Sequence, residues 1–142
     1  MRLRTKHSPE ARASGACALD DATGQVVLFG GIADLKTDNT WTFDGKDWKR
    51  RSPAHQPPVR FETASAYDPT LREVVVFGGG SPNGQLKDTW AWNGTDWIQL
   101  TPTHSPSARD GLGMAFDPST GLMLLGGEHG HKIHEDTWEL TG

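Results

Sequence analysis

The chain has a single cysteine, Cys17, and a single tyrosine, Tyr67, in 142 residues. One cysteine excludes a disulfide framework within the chain. Basic residues are not in excess either, because 14 Lys and Arg stand against 18 Asp and Glu and give a net charge of −4. General nucleic-acid binding needs a basic surface, so we expect no nucleic-acid partner.

Long apolar runs are also missing from the sequence. None approaches the length of about eighteen residues that a transmembrane helix needs, so we expect no membrane partner. The segment Met1–Arg4 is not followed by the apolar stretch of a signal peptide, which makes a cytoplasmic location the expectation. A chain from which a leader had been removed would look the same. The length fits one domain, residues 1–142.

Glycine is abundant, with 17 residues, and its distribution shows an internal repeat. Three apolar runs each end in a glycine pair, and each pair is followed by a polar loop and a Thr-Trp dipeptide. The pairs lie 48 residues apart both times and are Gly30-Gly31, Gly78-Gly79 and Gly126-Gly127. The dipeptides are Thr40-Trp41, Thr89-Trp90 and Thr137-Trp138. A fixed period of this size predicts stacked supersecondary units.

Each repeat has room for four short strands and none for a helix. A run of small residues that ends in Asp predicts the first strand, and the apolar run before the glycine pair predicts a second strand buried on both faces. Alternating large residues around Thr-Trp predict a third strand with one buried face. Asp44-Gly45 and Asn93-Gly94 then predict two-residue type I′ hairpins that lead to an outer strand. Variable loops follow the glycine pairs at 32–38, 80–87 and 128–135.

Four antiparallel strands in each 48-residue repeat are typical of a β-propeller blade. The recurring motifs also resemble those of the Kelch family over essentially the whole chain, in the style of its bacterial and galactose-oxidase-like members. These motifs are a strand-initial Arg, an Asp at the first hairpin, the glycine pair, Asp-Thr-Trp and a second Trp. The resemblance implies an all-β Kelch-type unit of three four-stranded antiparallel blades, at 7–51, 55–100 and 104–142. Asn39 departs from the Asp, and the third repeat lacks the second Trp.

The third repeat stops before its outer strand, and the segment 1–4 is in register with the outer strand of the first repeat. We therefore expect this segment to latch onto the third blade of a partner chain. Two chains would give a closed ring of six blades, within the usual range of about four to eight. The predicted partner is a second copy of this chain, in a homodimer. The alternative is that the sequence is a piece of a longer propeller. The latch residues are Met1, Arg2, Leu3 and Arg4.

The arginines that begin the first strand of each repeat are candidate ligand-binding residues. The Kelch resemblance implies that they lie near the mouth of a central channel. A guanidinium group presents a rigid fork of donors, which suits a small anion or an acidic peptide. The alternative is structural, with each Arg paired to a carboxylate of its own blade. The arginines are Arg12, Arg60 and Arg109, and the carboxylates considered are Glu10, Glu62 and Asp110.

Histidines supply two further sets of candidates. One set recurs with the repeat and is assigned to ligand binding, with loop packing as the alternative: His7, His55 and His104. The other set lies in the segment 128–136: His129, His131 and His134. Imidazoles beside carboxylates suit zinc, iron, nickel or copper, so a divalent metal is a candidate cofactor here. The alternative is a solvated loop without a metal.

The sequence favours a non-catalytic Kelch propeller scaffold that needs no cofactor. It would self-assemble and bind a protein, a peptide or a small anionic ligand on the face that carries the loops. The alternative is a metal-dependent or carbohydrate-active enzyme that uses the segment 128–136. Activity like that of galactose oxidase is not supported, because that enzyme needs copper and a crosslinked Cys–Tyr pair, and the only tyrosine, Tyr67, aligns with Leu19 and Phe116.

Overall fold

The structure is a computed structural model that describes residues 1–33 and 37–141. Residues 34–36, in the first predicted loop, and residue 142, at the end of the third repeat, lie outside the described residues. The described part contains no helix that could span a membrane. Its strands are β1 (Ala16–Asp20), β2 (Gln25–Phe29), β3 (Thr40–Phe43), β4 (Trp48–Arg50), β5 (Ala64–Asp68), β6 (Glu73–Ser81), β7 (Gly84–Trp92), β8 (Trp97–Leu100), β9 (Gly113–Asp117), β10 (Gly121–Leu125), β11 (Glu128–His129), β12 (Lys132–Ile133) and β13 (Thr137–Leu140).

Each sequence repeat forms one antiparallel sheet, which confirms the predicted all-β class. The first sheet has the order β1-β2-β3-β4 and the second has the order β5-β6-β7-β8. The third sheet has the order β13-β10-β9, and β11 and β12 form a separate hairpin. Within the described residues, the outer edge of β13 pairs with no strand, apart from an isolated bridge between Thr141 and His104.

The second repeat is more regular around its glycine pair than the sequence predicts. β6 continues through the glycines to Ser81, and β7 starts at Gly84, so a hairpin replaces most of the predicted loop 80–87. The ladder shifts register between Phe77 and Gly79, where Gly78 and Gly79 have φ values of 62° and 101°. Glycine adopts these angles without steric strain, so the strand forms a bulge here and does not end.

The prediction of two-residue type I′ hairpins is wrong. The connection from β3 to β4 spans residues 44–47, and only Gly45 in it has a positive φ, of 94°. A type I′ turn needs two such residues. The carboxylate of Asp44 instead accepts hydrogen bonds from the amides of Lys46 and Asp47, both at 2.9 Å. This side-chain cap stabilises a longer turn. Asn93 makes the equivalent bonds in the second repeat.

The two faces of each sheet carry different side chains. We call the face with small and aliphatic residues the alanine face, and the face with aromatic residues the tryptophan face. The alanine faces comprise, sheet by sheet, Ala16, Ala18, Val27 and Phe29; Ala64, Ala66, Val75, Phe77 and Ala91; and Gly113, Ala115, Met123 and Leu125. The tryptophan faces comprise Leu19, Val26, Leu28, Trp41, Phe43 and Trp48; Tyr67, Val74, Val76, Trp90, Trp92 and Trp97; and Met114, Phe116, Leu122, Leu124, Trp138 and Leu140.

The sheets stack with unlike faces together, and this stacking creates the core. The alanine face of the first sheet packs on the tryptophan face of the second sheet. The alanine face of the second sheet packs in the same way on the tryptophan face of the third. Small side chains on one surface leave room for the large rings or branched chains of the next, which lets the first two sheets pack closely.

The side chain of Trp97 links the first two sheets. Its ring lies 5.2 Å from that of Phe29 and 5.5 Å from that of Trp92, in tilted arrangements that aromatic pairs favour. Its Nε1 donates a hydrogen bond of 2.8 Å to the buried hydroxyl of Thr40, across the interface. The repeat equivalent of Thr40 is Thr89, which faces the third sheet and is only 2% exposed. Its hydroxyl has no hydrogen-bond partner among the described residues.

We therefore predict opposite effects of the same substitution at these two positions. Thr40→Val should lower the free energy of unfolding by about 1–3 kcal/mol, because it leaves the buried Trp97 N–H unpaired. Thr89→Val should be neutral or stabilising, because it removes a buried hydroxyl that is already unpaired. Urea unfolding of both variants measures the difference. A larger loss for Thr89→Val than for Thr40→Val would contradict the assignment of these hydrogen bonds.

Candidate functional site

The three candidate arginines lie inside the fold beneath the glycine pairs. Arg60 is fully buried, and its guanidinium donates to the carbonyl of Gly78 at 3.1 Å and to both carboxylate oxygens of Asp88 at 2.8 Å. Arg109 repeats the pattern with Gly126 at 3.0 Å and with Asp136 at 2.5 and 3.2 Å. A planar guanidinium fork and a carboxylate form the strongest type of hydrogen-bonded ion pair in proteins.

The same carboxylates also hold the repeated tryptophans. Trp90 Nε1 donates to Asp88, and Trp138 Nε1 donates to Asp136, both at 2.7 Å. Burial on its own would raise the pKa of Asp88, but the hydrogen bonds and charge of Arg60 and the bond from Trp90 lower it below its usual value. Hydrogen bonds from Arg109 and Trp138 lower the pKa of Asp136 as well.

In the first repeat, different residues accept the hydrogen bonds of the arginine and balance its charge. Asn39 replaces the Asp, and its Oδ1 accepts a bond from Arg12 at 2.8 Å. The missing charge is supplied by Glu10, which pairs with Arg12 at 2.6 Å. Asn39 has no second acceptor oxygen, so Trp41 Nε1 is buried without a hydrogen-bond partner among the described residues.

The glycine pairs join each repeat to the next one. The amide of Gly31 donates to the carbonyl of Arg60, and the amide of Gly79 donates to that of Arg109, both at 2.9 Å. A Cβ atom on Gly30 would lie 2.5 Å from the Arg60 carbonyl oxygen, so only glycine fits this approach. Arg60 and Arg109 thus occupy buried positions at the two junctions between sheets.

This geometry favours the structural alternative for the arginines, since their donors already have partners within the chain. The sequence identified Glu10 as one such partner but missed Asp88 and Asp136. The signal was present, because the Asp or Asn before Thr-Trp recurs in every repeat just as the arginines do. Glu62 and Asp110 form no ion pair with an arginine in the described residues.

The first repeat suggests a rescue experiment in the second. Asp88→Asn should lower the free energy of unfolding by about 2–4 kcal/mol, because it leaves the buried Arg60 without a counter-charge. Pro58 is exposed and occupies the position of Glu10. Adding Pro58→Glu to Asp88→Asn should therefore recover at least half of that loss.

Pro58→Glu alone is the control, and it should change stability by no more than about 0.5 kcal/mol, as surface substitutions do. Chemical unfolding of the wild type, both single variants and the double variant completes the cycle. A double variant as unstable as Asp88→Asn would show that Glu10 does not replace the missing carboxylate in the first repeat.

The repeating histidines are exposed and contact the turns of their own repeats. Nδ1 of His7 lies 2.7 Å from Asp47, and Nδ1 of His55 lies 2.7 Å from Asp96. His104 lies 3.3 Å from the hydroxyl of Thr141. Hydrogen bonds from the His7 amide and ring lower the pKa of Asp47 to about 2. These contacts agree with the loop-packing alternative for this set.

Several turn carboxylates make stability depend on acidity. The hydroxyls and amides of Ser119 and Thr120 lower the pKa of Asp117 to about 2, as His7 does for Asp47. The unfolded value is about 3.9, so their stabilisation is complete above that pH and is lost as the pH falls towards 2. The melting temperature should therefore decrease between about pH 4 and pH 2.

Asp117→Asn tests this prediction directly. Its melting temperature should lie below that of the wild type at pH 5, and the gap should shrink at pH 2, where the wild-type carboxylate is largely protonated. Asp21→Asn, which changes the same charge at an exposed position, is the control. A gap for Asp117→Asn that stays constant with pH would contradict the role of this carboxylate.

The histidine-rich segment forms the β11–β12 hairpin. Nδ1 of His129 bonds to the carbonyl of Ala108 at 2.8 Å, and His131 is exposed. Nε2 of His134 is buried without a partner among the described residues. Across residues 1–33 and 37–141, no group of three or more His, Cys, Asp or Glu side chains is arranged to hold a metal ion.

Within the part of the chain that the structure describes, two sheet faces keep exposed apolar side chains, and they form the candidate interaction surface. Leu125, on the alanine face of the third sheet, is 59% exposed, whereas its repeat equivalent Phe77 is 0% exposed. On the tryptophan face of the first sheet, Leu19 is 51% exposed and Trp48 is only partly buried, whereas the equivalent Trp97 is 1% exposed. Apolar surfaces of this kind mark sites of association.

The chain was also compared with known proteins. No protein-family model matches it, and no curated protein shows significant similarity to it.

Proposed function

We propose that the protein is a non-catalytic scaffold of the Kelch-propeller type that closes into a ring with a second copy of itself. The observation that carries this proposal is the pair of uncovered faces. One is an alanine face and the other is a tryptophan face, and unlike faces form both interfaces within the chain. A second copy therefore offers each uncovered face the kind of surface that already covers its equivalents.

Two copies would cover all four faces by two identical contacts. The alanine face of the third sheet in each copy would pack on the tryptophan face of the first sheet in the other. The closed product has six sheets, which is within the range of about four to eight blades found in propellers. Closed two-fold assemblies are also the commonest symmetric oligomers.

Backbone hydrogen bonds between repeats support the same arrangement. The amide of Gly111 donates to Glu62, and the amide of Glu62 donates to Ser14, at 3.0 and 2.9 Å. Ser14 of one copy stands in the same relation to Gly111 of the other across the proposed contact. In the glycine-pair series, Gly127 would likewise face the carbonyl of Arg12 in the second copy.

The N-terminal segment suits the predicted latch. Met1 and Leu3 are exposed, and residues 1–4 belong to no strand within the described part of the chain. A step of 48 residues aligns Met1 with Lys49, which pairs with Thr42 in the first sheet. In the ring, Met1 would pair with Glu139, the repeat equivalent of Thr42, and would extend the third sheet of the partner copy.

The proposal also includes binding of a ligand by the loops that follow the glycine pairs. The β11–β12 hairpin presents an exposed mixture of charged, histidine and apolar side chains, including Lys132 and Ile133, which suits a protein or peptide ligand. A small anion held by the arginines has less support, because Arg60 and Arg109 already donate to Asp88 and Asp136.

We predict that the protein in solution has twice the mass of one 15.5 kDa chain. Leu125→Asp should weaken the association by at least about 100-fold, because a charge would be buried in an apolar contact. Light scattering coupled to size-exclusion chromatography, at micromolar concentration, measures the mass.

Ile133→Asp is the matched control. Ile133 is 80% exposed but lies on the β11–β12 hairpin, outside the two uncovered faces, so this variant should remain a dimer. Circular dichroism establishes that both variants are folded. A folded wild type with the mass of a single chain would overturn the ring proposal.

A further inference from the structure

A mostly apolar cavity of about 480 Å³ lies between the second and third sheets. Its lining includes Val75 and Thr89 from the second sheet and Phe116, Leu122 and Leu140 from the third. Thr89 belongs to β7, and its buried hydroxyl is the one that lacks a hydrogen-bond partner among the described residues. The cavity wall is mostly apolar, although Asp68, Thr70 and Thr101 also line it, and the Thr89 hydroxyl is its one buried side-chain polar atom without a partner among the described residues.

The interface between the first and second sheets shows what fills this place in the repeat. There the indole of Trp97 packs against the core that includes Val27, Val74 and Trp92. The repeat equivalents of these three residues are Val75, Leu122 and Leu140, which all line the cavity. Leu140 is smaller than the Trp92 to which it corresponds, and this leaves additional room.

The unpaired hydroxyl matches the polar end of an indole. Thr40 accepts the N–H of Trp97 at 2.8 Å, and Thr89 holds the same position in the next sheet. An N–H donor in the cavity would give Thr89 the bond that Thr40 already has. An indole ring is an apolar bicycle with one such donor, so it satisfies both the shape and the hydrogen-bonding requirement.

The geometry points to a binding site for an indole ring, supplied by the tryptophan of an extended polypeptide segment that pairs with the outer edge of β13. Trp97 reaches its own site from β8, which pairs with β7, and β13 is the repeat equivalent of β7. Residues 1–4 contain no aromatic side chain, and Met1 aligns with Lys49, one residue past Trp48, so these residues place no ring in the cavity. The tryptophan-bearing segment would pair with the same edge of β13 as the latch proposed above, so the two would compete for that edge. The indole site itself does not depend on ring closure.

Binding of indole and of 1-methylindole to the full chain tests the site. Methyl NMR signals of Leu122 and Leu140 should shift on titration with indole, and 1-methylindole, which lacks the N–H, should bind about fivefold more weakly. Thr89→Val should reduce the affinity for indole by a similar factor and leave that for 1-methylindole unchanged. Thr137→Val is the matched control, because Thr137 is the exposed equivalent in the third sheet.

A peptide with the sequence Thr-Asp-Trp-Ile-Gln-Leu, copied from residues 95–100, tests the polypeptide source. It should bind at least tenfold more tightly than free indole, because strand pairing adds backbone hydrogen bonds, and the same peptide with Ala in place of Trp should not shift the two leucines. Equal affinities of peptide and indole would overturn the strand part of the inference. Absence of leucine shifts with indole, or equal binding by Thr89→Val, would overturn the site itself. Indole forms no strand and therefore tests the cavity whether or not the latch is in place, and the mass of the protein without peptide tests ring closure separately.

Discussion

A sheet with two apolar faces is stable in water only when both faces are covered, and this constraint organises the molecule. The second sheet satisfies it, because Val75 and Phe77 are fully buried on one face and Val74 and Val76 on the other. Burial on both faces explains why β6 contains a continuous run of valines before the glycine pair. Among the described residues, the first and third sheets each have one covered face, so the fold is built outward from its centre and leaves apolar side chains such as Leu19 and Leu125 exposed on two outer faces.

Close stacking of sheets creates a second requirement at the point where their inner ends meet. The backbones approach so closely at the glycine pairs that the carbonyl groups of these pairs need hydrogen-bond donors from side chains. Arg60 and Arg109 provide these donors, and Asp88 and Asp136 neutralise the charge that is buried with them. The recurring spacing of Arg, Gly-Gly and Asp- or Asn-Thr-Trp along each repeat therefore reflects a single three-part contact.

Much of this fold could be predicted from the sequence because the relevant patterns are local. Period-two alternation and the glycine pairs indicate the strands of each repeat, and the 48-residue period indicates stacking. The partners of the arginines could not be found in this way, since Arg60 and Asp88 are 28 residues apart and meet only when β7 lies beside β6. The turn after β3 was mispredicted because the dipeptide Asp44-Gly45 does not reveal that the Asp side chain caps two amides.

Comparison between repeats shows which contacts can be absent while the sheets still stack. Replacement of Asp by Asn39 removes one acceptor and leaves the Trp41 N–H unpaired, while Glu10 restores the charge balance that the buried Arg12 requires. Charge balance is thus kept in all three repeats, and the hydrogen bond to tryptophan is not. The second interface departs from the first in the same selective way. It keeps the apolar packing around Leu122 and Val75, but no indole among the described residues pairs with Thr89. The result is a cavity whose wall carries the unpaired Thr89 hydroxyl.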